Sequence, residues 1–155
     1  MKNNMRKDMS EYANRVYLDS NLFIYASASS DVLGEQCLKI LNALVKGKIK
    51  AVTTLVTFDE LFYKLAKLKG FDSAVLFTEN FLAMPNLVLS DVTGEIIAMA
   101  LKVITQHKLA PRDAIHAATA QQYSVDAFVS DDRDFSKVKE LKWVDIGGFI
   151  AQFGI

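Results

Sequence analysis

Apolar residues along this chain follow two patterns: short unbroken runs, and longer stretches in which they recur every three to four positions. The first marks a strand buried on both faces; the second marks a helix with one buried stripe. Val16-Tyr17-Leu18 predicts a strand ending at Asp19, and residues 21–28 predict a short helix. Ser30 is placed to cap a helix that carries Leu33, Cys37, Leu38, Leu41, Leu44 and Val45 at helical spacing, with Gly47 at its end. Residues 49–53 predict a second strand. Leu55, Phe58, Phe62, Leu65 and Leu68 share one face of a helix over 55–69, closed by Gly70. Another helix is predicted over 73–83, stopped by Pro85 and Asn86, before a third strand at Leu87-Val88-Leu89. Thr93 caps a helix through His107, and Pro111 opens one that runs to about Tyr123. Ala127–Val129 gives a fourth strand and Trp143-Val144-Asp145 a fifth.

Short apolar strands separated by helices indicate a parallel sheet covered on both faces. The expected fold is α/β, a three-layer α/β/α sandwich around a central, mostly parallel sheet. At 155 residues the chain fits one domain over residues 15–155. Residues 1–14 read as a polar N-terminal extension, with Met5 or Met9 as alternative starts.

Composition narrows the function classes. Lysine and arginine balance aspartate and glutamate, 18 against 18, so no global field steers a nucleic acid and any such binding must use local basic patches. The lone Cys37 excludes an internal disulfide and a multi-cysteine zinc site, and fits a reducing, cytoplasmic setting. No apolar run nears the roughly 18–20 residues of a membrane span, so no membrane role is expected. The N-terminal segment lacks the apolar core of a signal peptide.

The candidate chemistry lies in the acids. In parallel α/β sheets, ligands gather at the carboxyl ends of the strands. Asp19 ends the first strand, Glu60 lies early in the helix after the second, Asp113 lies in the first turn opened by Pro111, and Asp132 lies just past the fourth strand. All four are expected at one rim. Converging carboxylates repel unless they are protonated or share a cation. Mg²⁺ and Mn²⁺ prefer oxygen ligands, and two such ions can clamp the attacking and leaving oxygens of a phosphodiester displacement. Each acid also has a plain structural explanation. Asp19 could start a turn, Thr57-x-x-Glu60 could be a capping box, and Asp113 suits the helix dipole. Asp131, Asp132 and Asp134 could form a solvated turn or cap a helix at Ser136. The joint pattern favours a site.

These residues resemble a known family. The segments 17-YLDSNLFIYA-26, 53-TTLVTFDELFYKLAK-67, 109-LAPRDAIHAATA-120 and 130-SDDRDF-135 are similar, in order, to the four motifs of PIN domains. The resemblance covers roughly residues 16–147. It implies a Mg²⁺- or Mn²⁺-dependent endoribonuclease that cleaves single-stranded RNA by metal-activated water, leaving a 3′-hydroxyl and a 5′-phosphate. Small members are mostly VapC-type toxins of toxin–antitoxin pairs, which form homodimers and are inhibited by a cognate antitoxin. Carried over, Asp19, Asp113 and Asp132 hold the metal and Glu60 completes the pocket directly or through water. Asp134, Ser130, Asn21 and Ser20 are auxiliary. Asp131 competes with Asp132 for the role of fourth acid; strand alternation from Val129 turns Asp131 outward. The alternative is a PIN-like binding module in RNA processing that has lost activity.

The neighbouring residues carry less. His116, three residues after Asp113, shares its helix face; among alanines it reads as a packing histidine, with a metal ligand as the other option. Arg112 and Arg133 either hold RNA phosphate or pair with carboxylates. Lys46, Lys48 and Lys50 read as a solvated face, and Phe23 and Tyr25 as packing. A haloacid-dehalogenase-type phosphatase would want Asp-x-Asp where 19-DSN-21 stands. A phosphorelay receiver would want an acidic pair before the first strand's end and a late lysine, and neither is evident.

Overall fold

A computed structural model of the chain describes residues 15–155; the expected extension, residues 1–14, lies outside the described residues. In chain order the elements are β1 (Arg15–Leu18), α1 (Ser20–Ala28), α2 (Val32–Val45), β2 (Lys50–Thr54), α3 (Val56–Lys69), α4 (Phe71–Leu82), β3 (Leu87–Ser90), α5 (Gly94–His107), α6 (Pro111–Gln122), β4 (Ala127–Val129), a 3-10 turn (Arg133–Lys137), β5 (Trp143–Val144) and α7 (Ile146–Phe153). The strands form one five-stranded sheet in the order β3-β2-β1-β4-β5. Every pairing is parallel.

The two-residue period of the strands divides the core in two. Val16, Leu18, Ala51, Ala127 and Val129 pack with α1 to α4 and α7. Tyr17, Val52 and Phe128 point the other way, toward α5, α6 and the 3-10 turn. Both faces are covered, which gives the three-layer sandwich. On the second face Tyr17 stacks on Phe128, centroids 4.8 Å apart and planes within 6°, and Phe128 meets Phe135 at 4.5 Å. Phe135 belongs to the acidic stretch after β4, so its burial anchors that stretch to the sheet.

The sheet order makes β1 the point where the chain changes direction. The chain runs from β1 outward to β2 and β3, then returns to add β4 and β5 on the other side. A crevice therefore opens between the carboxyl ends of β1 and β4. A helix that leads into a parallel strand runs back from the carboxyl rim to the amino rim. The N-terminus of α6, with Asp113, accordingly lies at the same rim as the ends of β1 and β4.

Local chemistry departs from expectation in three places. The cap of α2 is Asp31, whose carboxylate accepts from the Gly34 amide at 2.9 Å, and not Ser30. No helix starts at Ser136; its hydroxyl bonds back to the Arg133 carbonyl inside the 3-10 turn. Asp145 does not extend β5 but caps α7, a helix hidden by paired glycines at 147 and 148.

Gly34 sets how α2 crosses α1. A Cβ on Gly34 would stand 2.2 Å from the Ser29 carbonyl oxygen that ends α1. Gly34→Ala is expected to reduce stability by about 2 kcal/mol through this overlap, measured by urea unfolding. A loss under about 0.5 kcal/mol would show that the crossing is not fixed there.

Candidate active site

Asp19 is almost fully buried at the end of β1. One carboxylate oxygen accepts from the Ser20 amide at 2.7 Å, capping α1, and the other accepts from the Ser130 hydroxyl at 2.7 Å. The turn-starting and site readings of Asp19 are therefore compatible. Burial pushes its carboxyl up, against the stabilising influence of His116 and the Ser130 hydroxyl. Ser130 also accepts from the Asp132 amide at 3.0 Å, so one hydroxyl ties the β1 acid to the acidic stretch after β4. Asp132 in turn accepts from the Asp134 amide at 2.9 Å and caps the 3-10 turn.

Glu60 is not part of a capping box. Its helix begins at Val56 with no side-chain cap, and the Thr57 hydroxyl bonds to that of Thr53 at 2.8 Å. Glu60 Oε2 instead lies 3.2 Å from His116 Nε2. His116 Nδ1 lies 2.7 Å from the Tyr17 hydroxyl and 3.8 Å from Asp19 Oδ1. The Tyr17 oxygen accepts from the Thr54 amide at 3.2 Å. In the imidazolium that these acids favour, Nδ1–H donates to the Tyr17 oxygen and Nε2–H donates to Glu60. A buried chain thus runs from the backbone of β2 through Tyr17 and His116 to a rim carboxylate.

The electrostatics follow from this chain. Burial alone would depress His116, but the hydrogen bond to Glu60 and the charge of Asp19 outweigh it and hold the imidazole above its ordinary value. Burial alone would raise Glu60; the hydrogen bond and charge of His116 reverse this and hold it low. Burial raises the Tyr17 phenol well above its usual range, reinforced by Asp19.

Among the described residues Asp113 has no such partner. Burial first, then the charges of Asp19 and Asp132, push its carboxyl up to about 6. Asp113, Asp19 and Glu60 line one cleft of about 240 Å³, with Ser20 and Asn21 beside them. Among the described residues, no group of three or more His, Cys, Asp or Glu side chains is arranged as a ready ligand set for an ion. The donor chemistry nevertheless fits a hard divalent cation: the oxygens are carboxylates, and their shared repulsion is what such an ion removes. Mg²⁺ keeps several waters, so carboxylates that do not close on one point still suit it.

The remaining candidates divide. Asp131 is exposed and Asp132 half-buried, as expected, but the Ser130 turn and not strand alternation orients them. Asp134 is exposed, and its carboxylate is committed to Lys137 at 2.5 Å. Arg112 pairs with Asp59 at 3.0 Å, Phe23 is core, and Lys46, Lys48 and Lys50 are exposed. His116 is a buried, satisfied histidine as expected, and its partners are Tyr17 and the rim acid Glu60. Tyr17 was passed over altogether, although a hydroxyl inside a doubly buried strand needs a polar partner.

Comparison with known proteins gives a PIN domain family model that matches residues 16–141. The chain is 25% identical over 145 residues to ribonuclease VapC2 of Methanocaldococcus jannaschii, covering 86% of this chain and 95% of that protein. Among solved structures it superposes on VapBC2 from Rickettsia felis, bound to a promoter DNA fragment, with TM-score 0.68, 17% identity, and coverage of 84% of this chain and 98% of the other. It superposes on VapC20 of Mycobacterium tuberculosis, a toxin cleaving the sarcin-ricin loop, with TM-score 0.68, 15% identity, and coverage of 82% and 97%.

Two outcomes test the electrostatics. The raised Asp113 carboxyl means that the folded, metal-free protein binds this proton more tightly than the unfolded chain. Stability is therefore lost as pH rises from the ordinary value of 3.8 through about 6, and the loss persists at neutral pH. Asp113→Asn should stabilise the metal-free chain at about pH 7.5 by about 1 kcal/mol, allowing for screening of a half-exposed group, or roughly 2–4 °C in Tm. The gain should vanish near pH 4. An unchanged or lower Tm at pH 7.5 would contradict the repulsion. His116→Leu, which strands the Tyr17 hydroxyl and Glu60, should cost about 3 kcal/mol in urea unfolding.

Proposed function

The chain belongs to the PIN domain family, and we propose that it is a Mg²⁺- or Mn²⁺-dependent endoribonuclease that cleaves single-stranded RNA as the toxin of a toxin–antitoxin pair. The observation that carries this reading is the gathering of Asp19, Glu60 and Asp113 on one cleft, with Asp113 raised by burial and by the charges of Asp19 and Asp132. That repulsion works against the fold, and a bound divalent cation relieves it.

Asp19, Asp113 and Asp132 would hold the ion, with Glu60 completing the set directly or through water. When bound, the ion supplies Lewis-acid polarisation of the phosphodiester and makes water more acidic. The chain's own residues prepare that chemistry. The Ser130 hydroxyl fixes one Asp19 oxygen, and the Ser20 amide fixes the other. His116 holds the Glu60 carboxyl low through Oε2, and the Ser20 hydroxyl adds to that effect. Phe135 seats the turn that carries Asp132. Attack by water on phosphorus would leave a 3′-hydroxyl and a 5′-phosphate.

The ribonuclease name of the M. jannaschii relative supports the nuclease reading, and the VapBC complexes among the structural neighbours support an antitoxin partner. A homodimer and a cytoplasmic location belong to the same proposal. No helix among the described residues is long and apolar enough to cross a membrane.

Cleavage of a fluorescent single-stranded RNA tests the proposal. Activity should require Mg²⁺ or Mn²⁺ and disappear with EDTA. Asp113→Asn and Asp132→Asn should each lower the rate at least about a hundredfold, or ~3 kcal/mol, while Asp131→Asn changes it less than about threefold. EDTA-insensitive cleavage would sink the mechanism. Absence of cleavage across RNA pools would favour a PIN-like binding module.

A further inference from the structure

The rim described above is negative, and the chain has no net charge to bring a polyanion to it. The wall of the same cleft supplies what the total charge does not. Tyr63 and Lys64 of α3 line the cleft together with Asp19, Glu60 and Asp113. Glu60, Tyr63, Lys64 and Lys67 stand at i, i+3, i+4 and i+7, so they form one stripe along α3. The stripe runs about 10 Å from the acid to the last lysine.

Its chemistry is specific. Tyr63 is 54% exposed and touches no other aromatic ring among the described residues. The Lys67 ammonium lies 4.3 Å from the centre of the Tyr63 ring and 2.5 Å from its hydroxyl. That contact holds the ring on the helix surface and lowers the phenol below its usual range. Lys64 has no carboxylate partner among the described residues, whereas Arg112, also on the cleft wall, is paired with Asp59. Phe58 and Phe62 lie on a different flank of α3, where they run toward Phe71. A propped, exposed ring with Lys67 against it and Lys64 beside it on the helix offers a surface for a base and charges for the adjoining phosphates.

We propose that Tyr63, Lys64 and Lys67 form the lane by which single-stranded RNA enters the acidic cleft, Tyr63 stacking a base and the two lysines contacting phosphates. The lane rests on the nuclease reading, since it leads to the acids that reading uses. It orders the strand beside Glu60 and makes binding depend on stacking and local charge without base-edge readout.

The test is binding of a fluorescein-labelled single-stranded RNA of mixed sequence to the full chain. The Asp113→Asn background with Mg²⁺ keeps the RNA intact, and fluorescence anisotropy is read over a range of KCl. Tyr63→Ala should weaken binding about tenfold and Tyr63→Phe less than about twofold, because the face and not the hydroxyl carries the stack. Lys64→Gln and Lys67→Gln should each reduce the slope of log Kd against log salt by about 0.7. Lys46→Gln and Lys48→Gln, near the start of β2 at the opposite rim, should leave both affinity and slope unchanged. Circular dichroism confirms folding of these surface variants. If the parent binds RNA and the lane variants match it in affinity and slope, the lane is wrong while the nuclease reading stands. If the parent binds no single-stranded RNA, both fall together.

Discussion

A buried imidazole between two carboxylates is the contact on which the rim depends. His116 has no exposed surface, and both its nitrogens are engaged. Burying an imidazolium or a carboxylate alone is costly, because charge loses its hydration. Buried together they stabilise one another, and low local dielectric strengthens each hydrogen bond. His116 therefore lets Asp19 sit at the end of a core strand and lets Glu60 remain ionised on the neighbouring helix. Tyr17 extends the same chain to the Thr54 amide. The acids of α1 and α3 are thus set by the sheet itself, which is stiffer than any loop.

This arrangement distributes electrostatic strain unevenly. Glu60 is held low and Asp19 only partly compensated, while Asp113 carries the unrelieved repulsion. An acid raised by burial and by like charge thus lines the open cleft. Perturbed carboxyls in a cleft are a mark of functional sites when the causes are burial and like charge together. Here those are the two largest causes. The rim is built at some expense to the metal-free fold, and a cation would return that stability.

The sheet and its order of elements were readable because each strand is a run of apolar residues and each helix carries one stripe. That pattern follows directly from burial on two faces or one. The positions of Asp19, Glu60, Asp113 and Asp132 at one rim followed from strand ends and helix direction. What escaped was anything that depends on a partner distant in sequence. Tyr17 and His116 are 99 residues apart, and only the parallel pairing of β1 with its neighbours brings them together. Thr57-x-x-Glu60 has the spacing of a capping box, but Thr53 claims the Thr57 hydroxyl and His116 claims the glutamate. The α7 helix was hidden because two glycines mask a helix that Asp145 caps and Phe149 buries.

Net charge is the wrong scale on which to judge this surface. It averages over the whole molecule, whereas screening at physiological salt confines each exposed charge to about 8 Å. A strand lying at the cleft responds to the side chains within that distance and to few others. On α3 the helical period places an acid and two lysines on a single stripe about 10 Å long. The acid at one end can face a cation in the cleft while the lysines toward the other face phosphate. On the proposed function, opposite requirements would be met on one helix because screening separates them over two turns. A chain balanced at 18 against 18 can therefore present a local charge pattern that its composition conceals.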